Sequence, residues 1–163
     1  MEGRRILVIT EQGLGDCMMF ARYLPLLARR GAQITVACSP PLRPVFERVA
    51  GIETILSPLP GQPLGKINLS LANFDVWVPL LSLAIHFGTQ FPTVPDDVPY
   101  LSIDPSRVPV WRRRYDAIGR SGVPKVGLVF QANPGSASAS DRSLSIADLA
   151  VLLRAARIDF RQS

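Results

Sequence analysis

Ile6-Leu7-Val8-Ile9-Thr10-Glu11-Gln12-Gly13-Leu14-Gly15-Asp16 is the stretch whose reading decides the fold of this chain. Residues 6–9 form a short, unbroken apolar run, the pattern of a strand buried on both faces of a parallel sheet. Gly13 and Gly15 predict a turn, because glycine reaches positive φ without a steric penalty. From Asp16 onward the apolar spacing becomes helical, with Met19, Phe20, Tyr23, Leu24 and Leu27. The stretch therefore predicts a strand, a glycine turn and a helix, with an acid where the helix begins. In open α/β sheets ligands bind outside the carboxyl ends of the strands, where this loop is expected.

Working outward, the first helix is expected over residues 16–30, kinked at Pro25 and stopped by Arg29, Arg30 and Gly31. Further strands are expected at 33–38, 53–56, 74–79 and 100–103. Pro40 and Pro41 predict the start of a helix running to Val49, and a short helix is expected at 80–87. This β-α-β-α-β spacing with short connections implies right-handed crossovers and a parallel sheet. The segment 57–72, rich in Pro, Gly and Leu, is long for a connection. Asp104-Pro105 starts the next helix, with Pro109 disturbing its first turn so that regular helix begins near Val110. Residues 125–130 read as another buried strand, and Ser145 with Asp148 makes a capping box for a last helix to Ala156. Residues 158–160 read as the start of one more strand.

With 163 residues, 47% hydrophobic and 19% charged, the composition describes a globular chain with one full-sized core. The net charge of +5 suits an anionic partner, but the basic residues are scattered, with one tight cluster at Arg112, Arg113 and Arg114 beside Trp111. The bland reading of that cluster is a solvated helix face with Trp111 and Tyr115 packing inward. Two cysteines, Cys17 and Cys38, make neither a disulfide framework nor a metal site and point to a reducing, cytoplasmic compartment. No apolar stretch approaches the length of a membrane span.

Few residues carry recognisable chemistry. Gly13-Leu14-Gly15-Asp16 is not the dinucleotide fingerprint, since Met18 stands at the third glycine position. Asp16 reads either as a helix N-cap or as a general base reached by a substrate hydroxyl. Cys17 reads as a buried structural thiol. His86 is the single histidine, so no histidine pair can hold a metal, and Asp96-Asp97 lacks Asp-x-Asp spacing. Ser138, Ser140, Arg142 and Ser143 lie ahead of the last helix, where they bind phosphate or form an ordinary loop.

Taken together, Glu-Gln-Gly-Leu-Gly-Asp (11–16), Phe-Ala-Arg-Tyr-Leu-Pro (20–25), Val-Pro-Leu-Leu-Ser-Leu (78–83) and Phe-Gly-Thr (87–89) occur in an order that resembles a known family. Val-Pro-Tyr-Leu (98–101), Asp-Pro-Ser-Arg-Val (104–108) and Lys-Val-Gly-Leu-Val (125–129) continue it. The chain resembles the glycosyltransferase module found behind tetratricopeptide repeats in bacterial proteins, related to the heptosyltransferase (family 9) enzymes. The resemblance runs over residues 5–160. It implies a GT-B fold of two Rossmann-like domains, with the acceptor on the first and the nucleotide sugar on the second. It also implies inverting transfer without a metal or other cofactor, with Asp16 as the base that deprotonates the acceptor. The donor-facing loop of the relatives keeps Asn133, Arg142 and Ser143 here. Ser136 and Ala139 stand where the relatives carry His and Asp, Ser140 where they carry Arg, and Phe130 where they carry Trp.

The expected architecture is α/β: a Rossmann-like, doubly wound parallel sheet over residues 1–122, with a short stub of a second Rossmann-like domain over 123–163. The leading function is the acceptor-side portion of a glycosyltransferase, inactive alone, whose complete enzyme takes a nucleotide sugar and a glycan, lipid or protein acceptor. The site is Asp16 with the loop Gly13, Leu14 and Gly15; Asn133, Arg142 and Ser143 are the donor-side candidates. No metal and no nucleic acid are expected. The stub's apolar surface is expected to dock on the first domain, to pair with another chain, or to leave the stub mobile. The alternative is a non-catalytic binding or assembly module on a degenerate Rossmann-like scaffold.

Overall fold

The computed structural model describes residues 2–118, 122, 125–132, 135 and 139–155. The chain divides by packing into two compact units, Met1–Asp104 and Pro105–Ser163. This division lies ahead of the helix that starts at Val108, whereas the sequence boundary at 122 lies after it.

The first unit is built on a four-stranded, all-parallel sheet of β1 (Arg5–Ile9), β2 (Gln33–Ala37), β3 (Ile52–Leu56) and β4 (Val76–Pro79), in the order β3-β2-β1-β4. β1 is central, pairing Val8 with Val36 on one side and with Val78 on the other. Ile6, Leu7 and Val8 are all buried, so an apolar residue is required at every position rather than at alternate ones. This is the expected α/β architecture.

Helices α1 (Leu14–Phe20), α2 (Tyr23–Arg29), α3 (Arg43–Phe46) and α4 (Leu83–His86) supply the covering layer. Leu24 and Leu27 from α2, Phe46 from α3 and Leu83 from α4 join Ile6, Val8, Ile34, Val36 and Val78 in one continuous core. Each such side chain contributes about 1.5–3 kcal/mol by leaving water. The β3-to-β4 connection, residues 57–75, carries two 3₁₀ turns, Leu64–Lys66 and Leu69–Leu71. The right-handed rule for parallel crossovers puts it on the face opposite α1 to α3. Arg5 and Asp75 lock the start of β1 to that of β4: the guanidinium reaches the carboxylate at 2.6 Å, and the Arg5 amide donates to it at 2.9 Å.

Several expectations are corrected. The single kinked helix over 16–30 is two helices, broken at Ala21 and Arg22. Pro25 is the cause: it has no N–H to give to Ala21, four residues back, and its ring crowds that carbonyl. Leu24 N–H takes the Ala21 carbonyl instead, at 3.0 Å. The helix expected from Pro40 to Val49 is a 3₁₀ turn, Pro40–Leu42, followed by α3, which ends at Phe46. Residues 100–103 are not a strand. Tyr100 accepts a hydrogen bond from Arg22 at 3.2 Å and lies under its guanidinium, while the Ser102 hydroxyl donates to the Arg48 carbonyl. Side-chain anchoring to the helix layer takes the place of ladder pairing.

In the second unit α5 (Val108–Ala117) follows a 3₁₀ turn, Pro105–Arg107. Pro109 does not delay it, because a proline in the first turn forfeits an N–H that has no helical partner anyway. None of the ten α5 residues is buried, so Trp111 and Tyr115 do not pack inward as their spacing implies. Residues 125–130 form no strand, and Val126 and Val129 are 70% and 96% exposed. An apolar run becomes a strand only where another strand is there to pair with it. The last helix, α6 (Ile146–Ala155), begins with the expected capping box. The Ser145 N–H donates to Asp148 at 3.1 Å, and the Asp148 N–H donates to the Ser145 hydroxyl at 3.1 Å. The strand start expected at 158–160 lies outside the described residues. No described helix is long and apolar enough to cross a membrane.

Candidate functional site

The chain runs from β1 to β2 on one side and returns to β4 on the other. The order of the sheet therefore reverses beside β1, and the crevice at such a reversal is where ligands bind in open α/β sheets. Residues 10–13 leave β1 at that point. Thr10 is buried, its N–H bonded to the Ala37 carbonyl at 2.9 Å, and Leu80 N–H is bonded to Ile9 at 2.8 Å. The carboxyl end of β1 is thus tied to its neighbours on both sides.

The turn is not made by its glycines. Gly13 has φ −76° as the N-cap of α1, and Gly15 lies inside the first turn of the helix. The left-handed residue is Gln12, at φ 62°. For a residue with a side chain this costs on the order of 1–3 kcal/mol. Nothing in its residue type signals this. The glycines have other uses. A Cβ on Gly13 would stand 3.1 Å from Asp16 Oδ2, and a Cβ on Gly15 would meet nothing within 4 Å. Gly13 makes room for the carboxylate, and Gly15 leaves the helix start bare.

Asp16 is exposed at the third position of α1 and is not the N-cap. Its Oδ2 reaches back to accept the Gly13 N–H at 3.1 Å, the carboxylate half of a capping box that glycine cannot complete with a side chain. Leu14, 46% exposed, stands beside it. The structure therefore gathers Gly13, Leu14, Gly15 and Asp16 on one solvent-facing turn: a fixed carboxylate on a bare helix start at the sheet's reversal point.

Cys17 points the other way. It is buried, donates to the Glu11 carbonyl at 3.0 Å, and its thiol is pushed up, first by burial and then by the charges of Asp16 and Glu11. Cys38 is pushed up to about 11 by burial. Both are buried thiols, free of disulfides. His86 is exposed at the end of α4, and Asp97 pairs with Arg29 at 3.5 Å. Among the described residues no three His, Cys, Asp or Glu side chains gather as metal ligands.

Arg22 is a residue whose importance the sequence did not signal. At the break between α1 and α2 it donates to the Met19 and Pro95 carbonyls at 2.9 and 3.0 Å and to the Tyr100 hydroxyl, holding the 95–100 segment on the helix layer.

In the second unit Asn133, Ser136 and Ser138 lie outside the described residues. The Ser143 hydroxyl accepts the Ala132 N–H at 3.0 Å and donates to the Ala139 carbonyl at 2.6 Å, so it closes its own loop. Ser140 donates to Asp141. Arg142 is exposed.

A separate pocket of about 200 Å³ lies between α2, α4 and the sheet, lined by Ile6, Leu27, Val76, Trp77 and Phe87, with Arg30 and His86. The lining runs along β4 from Val76 to Val78 and includes neither Asp16 nor any residue of its loop, so this pocket is separate from that loop. It holds no carboxylate and no base–nucleophile pair, and the loop remains the candidate site.

No protein-family model and no solved structure matches the chain. It is similar to Protein FlbA of Caulobacter vibrioides, with 27% identity over 141 residues that cover 81% of this chain and 23% of that protein. The chain thus spans about a quarter of the length of the curated relative it matches.

Proposed function

We propose that this chain is the acceptor-side portion of a glycosyltransferase of the heptosyltransferase-like, GT-B kind, with Asp16 as the general base. The observation that carries the reading is the exposed Asp16 carboxylate on the bare glycine-flanked turn at the sheet's reversal point. A hydroxyl arriving there meets a fixed acceptor of its proton. Asp16 takes that proton as the acceptor oxygen forms its bond to the sugar's anomeric carbon. The bond to the nucleotide phosphate breaks on the opposite face, and the nucleoside diphosphate leaves with the electron pair. Gly15 leaves room for the acceptor's approach, and the Gly13 N–H steadies the carboxylate. The donor belongs to a second Rossmann-like domain in this reading. The buried, free thiols accord with a reducing, cytoplasmic setting.

A second reading, a non-catalytic binding module, has an observation of its own: the Asp16–Gly13 bond is what a purely structural capping acid makes. Asp16→Asn separates the two, since an amide oxygen still accepts the Gly13 N–H but takes no proton. In a polypeptide that joins this chain to a donor-binding domain, kcat is expected to fall by roughly 10²–10⁴. Stability is expected to change by less than about 1 kcal/mol. Turnover near that of the unsubstituted protein would leave capping as the role of Asp16.

A further inference from the structure

Helix α5 is the one long helix of the described chain that buries none of its side chains. A ten-residue helix is marginal in water unless one face is covered. Val108, Trp111 and Tyr115 stand at i, i+3 and i+7, so they share a strip about 60° wide at roughly 100° per residue. Trp111 and Tyr115 are each 54% exposed. Arg112 and Arg114 fall on the two borders of that strip. The Arg114 guanidinium lies 5.0 Å from the Trp111 ring, and the Lys125 ammonium lies 4.1 Å from the Tyr115 ring while donating to the Tyr115 carbonyl at 2.7 Å. Exposed Val126 and Val129 follow directly. Between residues 107 and 125 the sequence has six cations and one acid, Asp116.

We infer that α5 is a docking helix for an anionic lipid surface. An aromatic strip bordered by arginines is the arrangement that lies in a bilayer interface. The rings enter at headgroup depth, while the long cationic side chains reach the lipid phosphates on either side. Charge chooses the partner: each basic residue near an acidic leaflet strengthens binding several-fold, and between residues 107 and 125 the sequence sets one acid, Asp116, against six cations. A nucleic-acid groove is a poorer fit. The three consecutive arginines fan around the helix instead of lining one side. Such docking adds a location to the transfer reaction and does not depend on it.

The test uses the whole chain and vesicles of phosphatidylcholine alone or mixed equally with phosphatidylglycerol. The chain has two tryptophans, so Trp77→Phe leaves Trp111 as the sole reporter. Expected are co-sedimentation with the anionic vesicles only, weakened by salt, a blue shift of Trp111 emission and its quenching by brominated lipid. Replacing Arg112 and Arg114 together by Gln is expected to weaken binding by roughly thirtyfold, and Arg113→Gln, on the far side of the helix, to weaken it much less. Because these side chains are exposed, the substitutions leave the core untouched, and the fluorescence arm retains all of α5. Unchanged Trp111 emission with anionic vesicles, or undiminished binding by the Arg112/Arg114 double variant, overturns the inference. So does a short RNA duplex that shifts Trp111 as strongly as the vesicles, which would make the helix a polyanion site.

Discussion

Residues 6–9 and residues 125–130 are nearly the same kind of sequence, short apolar runs that both read as buried strands. The first is β1, paired on both sides and covered on both faces. The second carries no strand, and its Val129 is 96% exposed. What separates them is supply of partners. β1 has two strands at hydrogen-bonding distance and a helix layer over it, whereas the described residues of the second unit offer no strand to 125–130. Burial is a property of an assembly, and a run of valines and leucines only nominates itself for it.

Hydrogen exchange should show the largest contrast. Amides of Leu7 and Val8 are expected to open only with the whole unit, and those of Val126 and Val129 to exchange almost freely. This makes a ratio of at least about a thousandfold. Equal protection in a verified monomer would break the comparison, because 125–130 would then have found a partner strand.

Substitution gives the next largest effect. Phe46→Ala empties a fully buried site and is expected to cost about 3–5 kcal/mol. Val129→Ala should stay within about 0.5 kcal/mol. Urea titration of both variants checks the pair, and a costly Val129→Ala would show a covered surface in the second unit.

Two glycines sharpen what packing adds within the first unit. Gly51 and Gly61 share the left-handed conformation, at φ 86° and 83°. A Cβ on Gly51 would sit 2.3 Å from the Ala28 Cβ of α2, whereas one on Gly61 would meet nothing within 4 Å. Gly61→Ala is expected to cost only the backbone's roughly 1–2 kcal/mol. Gly51→Ala should cost clearly more, the excess reporting displacement of α2. Equal losses by thermal unfolding would mean that the contact yields freely.

Acid produces the smallest effect. Arg5 holds the Asp75 carboxyl down at about 2, through hydrogen bonds from its side chain and its amide. The folded value lies below the ordinary 3.8, so the stabilisation is fully present above about pH 4 and is lost as pH falls through 2. Asp75→Asn should flatten the acid limb of the first unit's stability in that window. The Asp148 carboxyl, lowered by Ser145 at the start of α6, should titrate without changing the first unit. An unaltered acid limb in Asp75→Asn would assign the loss to other carboxylates.

Local chemistry was readable wherever it needed no distant partner. The Ser145–Asp148 box, the strand at residues 6–9, the parallel α/β order and the strand–loop–helix around Asp16 are properties of neighbours in sequence. They occur close to where they are expected, the helix starting at Leu14 instead of Asp16, and Pro25 marks the trouble in its helix although the outcome is a break and not a kink. The site was legible as a loop but misread in its mechanics. Gly13 and Gly15 suggested left-handed turns, yet Gln12 takes that conformation because its flanks are held, by Thr10 on Ala37 and by the helix starting at Leu14.

What only the tertiary structure decided is who pairs with whom. Tyr100 could have continued the sheet by its residue type, but Arg22, far away in sequence, holds it on the helix layer. Asp16 could have been an N-cap, but the helix begins two residues earlier, at Leu14, and turns it into a carboxylate reaching back to Gly13. Period and residue type set which conformations are cheap for each segment. The choice among them is made by contacts whose partners lie elsewhere in the chain, and their energies exceed the local preferences that a sequence displays.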